Sequence, residues 1–156
     1  MATRILIVAP HGSGEVMAAR GWPRTFPAWK NSYSQLTASL VARAARVWES
    51  DELLPEPPFR APHPSVSAAG LVGDRGRPGE VSLAHGGTLF LDDVGEFRGV
   101  ALDRLDEALR RGHVTSTGRD GESVTFPARP YYVIGHATPD GLSDAVVRFF
   151  RKGASS

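Results

Sequence analysis

Residues 4–20 read RILIVAPHGSGEVMAAR, and this stretch decides which fold the chain can adopt. After Arg4, residues 5–9 form an apolar, partly β-branched run without polar alternation, which is typical of a buried strand in a parallel sheet. A proline and two glycines follow within residues 10–14, and residues 15–20 favour a helix. A strand, a glycine loop and a helix in this order predict the opening of an α/β fold that binds phosphate groups.

Two further apolar runs predict buried strands. Residues 87–93 read GTLFLDD, and residues 131–135 read YYVIG. Apolar residues three or four positions apart predict three helices, with the apolar sets Leu36, Leu40, Ala44 and Val47; Leu102, Leu105 and Leu109; and Leu142, Val146, Phe149 and Phe150. Strands that alternate with helices predict an α/β domain with a mostly parallel sheet that is covered on both faces.

Two segments between these elements differ from the rest. Residues 49–80 are rich in proline and glycine, so they predict an irregular insertion within the domain. Residues 113–126 contain two short polar-apolar runs on either side of TGRDG at 117–121, which predicts a β-hairpin.

Length and composition limit the class of protein. The chain has 156 residues, 41% of them hydrophobic and 22% charged, with a formal net charge of +1. These values fit one domain over residues 1–156 and give no electrostatic reason to expect nucleic acid or a membrane as partner. The absence of cysteine excludes disulfides and thiolate chemistry. No apolar run reaches the roughly 18 residues of a membrane span, and no signal peptide is recognised, so a cytoplasmic location is expected.

Polar residues follow all three predicted strands. The glycine loop at residues 10–14 follows the first, Asp92 and Asp93 end the second, and Thr138 comes after the third. Because ligands collect at the carboxyl ends of parallel strands, these groups are expected to meet at one edge of the sheet.

The five histidines lack the local spacing that is typical of metal ligands: His11, His63, His85, His113 and His136. Loop or structural roles are therefore expected for them.

A longer block of sequence is more specific than the loop. Residues 58–73 read PFRAPHPSVSAAGLVG, residues 77–93 read RPGEVSLAHGGTLFLDD, and residues 126–129 read FPAR. Together they resemble the magnesium-chelatase ATPase-subunit (ChlI-like) family, and most closely its ComM-type branch of AAA+ P-loop ATPases, over roughly residues 4–150. The resemblance implies a three-layer α/β P-loop AAA+ core with a mostly parallel sheet and a β-hairpin insertion. It also implies ATP and Mg²⁺ as cofactors and assembly into rings.

The resemblance places the phosphate loop at residues 9–16, APHGSGEV. A working loop reads G-x-x-x-x-G-K-[ST], in which the lysine reaches the β- and γ-phosphates and the hydroxyl holds Mg²⁺. In this chain Glu15 stands in place of the lysine, and Val16 stands in place of the hydroxyl residue. The nucleotide-binding positions that the resemblance implies are His11, Gly12, Ser13, Gly14, Glu15 and Val16.

The resemblance also assigns roles at the other strand ends. Asp92 matches the acid that holds Mg²⁺, and Asp93 takes the place of a glutamate that activates the attacking water. Thr138 takes the place of a sensor asparagine, and Arg148 matches a family arginine with an offset of one residue. The sequence stops at Ser156, so the lid domain of the family is not expected.

These departures lead to the hypothesis of a degenerate family member that does not hydrolyse ATP and serves as a regulatory or assembly partner. Binding of ATP and Mg²⁺ is implied by the resemblance but opposed by residues 15 and 16. Proteins are the expected partners, in a homo- or hetero-oligomer with AAA+-type subunits, rather than nucleic acid or a membrane. Two alternatives stay open: an ATP-binding subunit that is active only in an oligomer, and a DNA-associated module.

Overall fold

Helices and strands alternate along most of the chain. The computed structural model describes residues 2–21 and 26–154. The elements are β1 (Thr3–Val8), α1 (Glu15–Gly21), α2 (Tyr33–Ala44), β2 (Phe59–Arg60), α3 (Ala68–Val72), β3 (Gly73–Asp74), β4 (Arg77–Pro78), α4 (Glu80–Leu83), β5 (Thr88–Leu91), α5 (Gly99–Arg111), β6 (His113–Thr117), β7 (Ser123–Pro127), β8 (Tyr132–Ala137) and α6 (Asp144–Ala154), with 3-10 turns at Val94–Glu96 and Pro139–Gly141.

The central sheet has four strands in the order β1-β8-β5-β2, and all neighbours are parallel. Ile5 of β1 and Phe90 of β5 both lie opposite Ile134 of β8, which sets the register. The predicted mixed α/β fold with a mostly parallel sheet is therefore confirmed. The prediction of a buried first strand is wrong in part: β1 pairs with β8 alone among the described strands, and its last residue, Val8, is 46% exposed.

Apolar side chains cover both faces of this sheet, as the unbroken apolar runs predict. On one face Leu89, Leu91 and Val133 join a large core with residues of α3, α5 and α6. On the other face Phe90 and Ile134 pack with residues of α1 and with the apolar side chains of β1. The predicted amphipathic spacing of α5 is confirmed, since its three leucines are all buried: Leu102, Leu105 and Leu109.

Helix α2 forms where it was predicted, but with its other face inward. The apolar positions from which it was predicted are all exposed: Leu36, Leu40, Ala44 and Val47. Its buried side instead combines three apolar residues with two polar ones: Ala38, Val41, Ala42, Gln35 and Ser39. The polar pair bonds the backbone of the following loop, since Gln35 Nε2 donates to the Leu54 carbonyl at 2.9 Å and Ser39 Oγ accepts from the Leu54 N–H at 2.8 Å. Because irregular backbone needs hydrogen-bond partners, these contacts outweigh the apolar periodicity.

The segment that was expected to be irregular is so only in its first part. Residues 49–58 contain no helix or strand, whereas residues 59–80 carry β2, α3, β3 and β4. Strand β2 joins the central sheet, with Phe59 opposite Thr88. The hairpin forms as predicted, with β6 antiparallel to β7. Within the described residues no helix has both the length and the apolar character that crossing a membrane requires.

Candidate functional site

The carboxyl ends of β1, β5 and β8 bring most of the predicted site residues together. A cavity of about 220 Å³ opens there. Its lining includes His11 from the glycine loop, Asp93 after β5, and Thr138 after β8. The parallel topology predicts this convergence, because the ends of neighbouring parallel strands meet at one edge.

The glycine loop turns from β1 into α1 through two left-handed residues. Gly12 and Gly14 have φ angles of +78° and +79°, and a side chain at either position would meet open space. Conformation, and not lack of room, therefore favours glycine at both positions. The Ser13 hydroxyl donates to the Pro10 carbonyl at 2.7 Å, which closes the turn on itself.

The Glu15 carboxylate faces the amides of this loop. The Gly12 N–H donates to Glu15 Oε1 at 3.4 Å. The pKa of the Glu15 carboxyl group lies below its ordinary value, mainly because the backbone N–H of Glu15 bonds it. Burial raises this pKa, but the N–H groups of Gly12 and Ser13 and the charge of His136 lower it further. The chain's own carboxylate therefore lies beside the amide donors that a phosphate loop offers to phosphate. The neighbouring Val16 is 41% exposed and brings no oxygen to the site.

The two acids after β5 each contact a histidine. Asp92 Oδ1 lies 2.8 Å from His136 Nδ1 and also accepts the backbone N–H of Asp93 at 3.0 Å. Asp93 Oδ1 lies 3.2 Å from His11 Nε2, and Asp93 has a left-handed backbone with φ of +47°. The carboxylates are thus held by the chain's own imidazoles.

His136 is the residue that sequence reasoning missed. It lies on β8 with a fully buried side chain, and its Nε2 is 2.8 Å from the Ala9 carbonyl oxygen. That oxygen can only accept, so Nε2 carries a proton. Burial lowers the pKa of His136, but its polar neighbours raise this pKa above the ordinary value. These neighbours are the Ala9 carbonyl, the Asp92 carboxylate, which acts through both a hydrogen bond and its charge, and the charge of Glu15. The signal in the sequence was its place on the third strand, two residues before Thr138.

The raised pKa of His136 predicts a pH dependence of stability. A raised folded-state pKa contributes stability that is complete below the unfolded value of about 6.5 and disappears as pH rises through the folded value. Urea unfolding of the wild type and of His136→Gln between about pH 6 and pH 9 tests this. The difference in free energy of unfolding between the two should shrink toward high pH. A difference that stays constant over this range would show that His136 is not charged in the folded chain.

Two of the predicted site residues, Thr138 and Arg148, do not have the contacts that the resemblance implies. Thr138 lines the cavity, but its Oγ1 accepts the Gly141 N–H at 3.1 Å and so caps the 3-10 turn at Pro139–Gly141. Arg148 is exposed on α6 and lines a separate cavity of about 160 Å³ with Asp103 and Lys152. The structure does not bring Arg148 to the strand ends.

The Mg²⁺ that the resemblance implies does not fit these residues. Mg²⁺ prefers near-octahedral oxygen ligands and keeps several waters. Here Asp92 Oδ1 is held by an imidazole nitrogen, and Val16 supplies no hydroxyl. The structure therefore gives no reason to place Mg²⁺ at Asp92.

Comparison with known proteins identifies the family of the chain. The sequence model of the family described as "Magnesium chelatase, subunit ChlI" matches residues 2–140. An uncharacterized protein of Mycobacterium tuberculosis is 37% identical over 82% of this chain and 26% of its own length. The uncharacterized protein YifB of Escherichia coli is 33% identical over 80% of this chain and 25% of its own length. The competence protein ComM of Haemophilus influenzae is 35% identical over 80% of this chain and 25% of its own length.

The chain spans about a quarter of the length of these curated relatives. The family match covers nearly the whole described chain, from β1 to the turn after β8. With a parallel sheet that ends in a glycine loop and two acids, the chain belongs to the magnesium chelatase subunit ChlI family, in which it lies close to the ComM-type AAA+ proteins.

Proposed function

We propose that this chain is a non-hydrolysing AAA+ module that does not bind Mg-ATP and acts as a regulatory or assembly partner of AAA+-type subunits. The observation that carries the proposal is the Glu15 carboxylate, which faces the loop amides of Gly12 and Ser13. A nucleotide phosphate would have to displace this carboxylate from the donors that both groups need.

The charge of Glu15 makes that displacement unfavourable. A lysine at this position would attract the phosphate charge, whereas a glutamate repels it, so the change reverses the sign of the interaction. The neighbouring Asp92 bonds the imidazole of His136, and a nitrogen donor does not suit the Mg²⁺ that accompanies a nucleotide.

A protein partner is favoured by the exposed face of α2. Tyr33 is 80% exposed, Leu36 44% and Leu40 54%, and they follow one another at helical spacing. Large apolar side chains that are grouped on a surface are typical of protein contacts. We infer that this face supports assembly into a homo- or hetero-oligomer with AAA+-type subunits.

Calorimetric titration of Mg-ATP and of ADP tests the nucleotide part of the proposal. The wild type is expected to give no saturable heat up to about 1 mM nucleotide. The double variant Glu15→Lys/Val16→Thr restores the cation and the hydroxyl of a phosphate loop, so it is expected to bind at least about 100-fold more tightly.

Glu122→Lys is the matched control, because it makes the same charge change on an exposed turn of the hairpin. It should behave as the wild type does. Tight binding of Mg-ATP by the wild type would contradict the proposal and favour an ATP-binding subunit whose activity requires an oligomer. Equal binding by Glu122→Lys and by the double variant would show that net charge, and not the loop, is responsible.

A further inference from the structure

The strand ends carry a donor set of a different kind from the one that Mg²⁺ requires. One donor atom from each of Glu15, Asp92 and His136 lies within 4.8 Å of the other two. His11 and Asp93 form a second such group with the same His136. We propose that this cluster is a binding site for a divalent transition metal of the zinc class, with Glu15, Asp92 and His136 as its protein ligands.

The distance between the donor atoms of His136 and Asp92 is close to what such an ion requires. Zinc bonds to imidazole nitrogen and carboxylate oxygen are close to 2.0–2.2 Å, so tetrahedral ligand atoms lie about 3.3 Å from each other. His136 Nδ1 and Asp92 Oδ1 are 2.8 Å apart. A shift of about half an ångström would open this pair to the distance required around a zinc ion.

The surroundings of His136 already orient it as a ligand. Its Nε2–H points at the Ala9 carbonyl, 2.8 Å away, which directs Nδ1 toward Asp92. Histidines that bind metals commonly donate their other ring N–H to a carbonyl or a carboxylate in this way. Asp92 is held similarly, since its Oδ1 accepts the N–H of Asp93. Metal binding would replace the proton on Nδ1 and release it to water.

A buried oxygen without a partner points to the same ion. Glu15 Oε2 is inaccessible to solvent and has no hydrogen bond within the described part of the chain. Such an atom is costly to bury, and a cation beside it would supply the missing interaction. Three carboxylates, those of Glu15, Asp92 and Asp93, therefore face two imidazoles at this edge of the sheet.

The mixture of nitrogen and oxygen donors selects the class of metal. Imidazole suits zinc and its transition-metal neighbours, whereas Mg²⁺ and Ca²⁺ prefer oxygen alone. The chain has no cysteine, so no thiolate site competes for the metal. The inference goes beyond the proposed function and does not depend on it, because the metal would be bound without nucleotide.

Titration of the untagged chain with Zn²⁺ alone, in competition with a chromogenic chelator, tests the proposal. One equivalent should bind to the wild type and raise its melting temperature. His136→Gln is expected to weaken binding about 100-fold, and Glu15→Gln, which changes one side chain at the start of α1, about tenfold. Co²⁺ used as a probe should give visible absorption bands in the wild type that His136→Gln loses.

His63→Gln is the control, because His63 is an exposed histidine that bonds Ser65 and belongs to neither of the two donor groups. It should leave the Zn²⁺ affinity unchanged. The proposal is overturned if the wild type binds no Zn²⁺, if both His136→Gln and Glu15→Gln bind it as well as the wild type, or if His63→Gln loses as much as His136→Gln. Since no nucleotide is present, these outcomes are separate from those of the Mg-ATP titration.

Discussion

Replacement of Asp106 by alanine is expected to lower the free energy of unfolding by about 3–5 kcal/mol. Asp106 Oδ1 accepts from Arg4 Nη1 at 2.8 Å, and the two side chains are only 4% and 2% exposed. Without Asp106 the Arg4 guanidinium would stay buried with its charge uncompensated. Breaking a buried ion pair by removing one partner is among the most destabilising single changes in a protein.

The Arg4–Asp106 pair links three elements of the fold, so its loss should destabilise the whole domain. Arg4 lies on β1, Asp106 on α5, and Arg4 Nη1 also donates to the Phe149 carbonyl of α6 at 2.7 Å. Burial raises the pKa of Asp106, but Arg4, Lys152 and Arg110 together hold it below its ordinary value, so the carboxylate is ionised at neutral pH. One carboxylate thus connects the outer strand of the sheet with two helices.

A double-mutant cycle in urea unfolding measures the interaction. The variants are Asp106→Ala, Arg4→Met and the two combined. Because the combined variant buries no unpaired charge, it should be more stable than Asp106→Ala alone. If the two losses simply add, Arg4 and Asp106 do not depend on each other and the prediction is wrong.

The sequence was sufficient to predict the parts of the fold that depend on local pattern. The apolar runs of β5 and β8 are buried on both faces, and that burial is what removes polar alternation from a strand. The orientation of α2 could not be predicted, since Gln35 and Ser39 bond a loop 15 or more residues away along the chain. No periodicity within the helix contains that information.

The candidate site also contains residues that the sequence predicts and residues that it does not. Residues 10–14 and Asp92 could be placed at one edge because both follow strands, and the structure brings them together there. Short spacings along the sequence do not reveal His136, because Asp92 and Ala9 lie 44 and 127 residues away from it. Only the register of three parallel strands makes these residues neighbours. The Glu15 substitution was visible in the sequence, but not the direction in which its carboxylate points.

The second large effect is expected at Gly87, immediately before β5. A Cβ atom there would collide with the backbone of Pro58, including its carbonyl oxygen. That oxygen accepts the Thr88 N–H at 2.8 Å, while the Gly87 carbonyl accepts the Tyr131 N–H at 2.8 Å. Neither backbone can move without breaking a connection between strands, so Gly87→Ala should cost about 3 kcal/mol or more.

Gly99→Ala is the matched control, because a Cβ atom at Gly99 meets nothing within 4 Å at the start of α5. Its free energy of unfolding should equal or slightly exceed that of the wild type. The two variants differ only in where one methyl group is added, so comparing them by urea unfolding isolates the close approach at Gly87. Equal stability would show that the segment at Pro58 yields at little cost. A large loss at Gly87 alone would mean that β5, and with it Asp92 and Asp93, is fixed in place by the chain before β2.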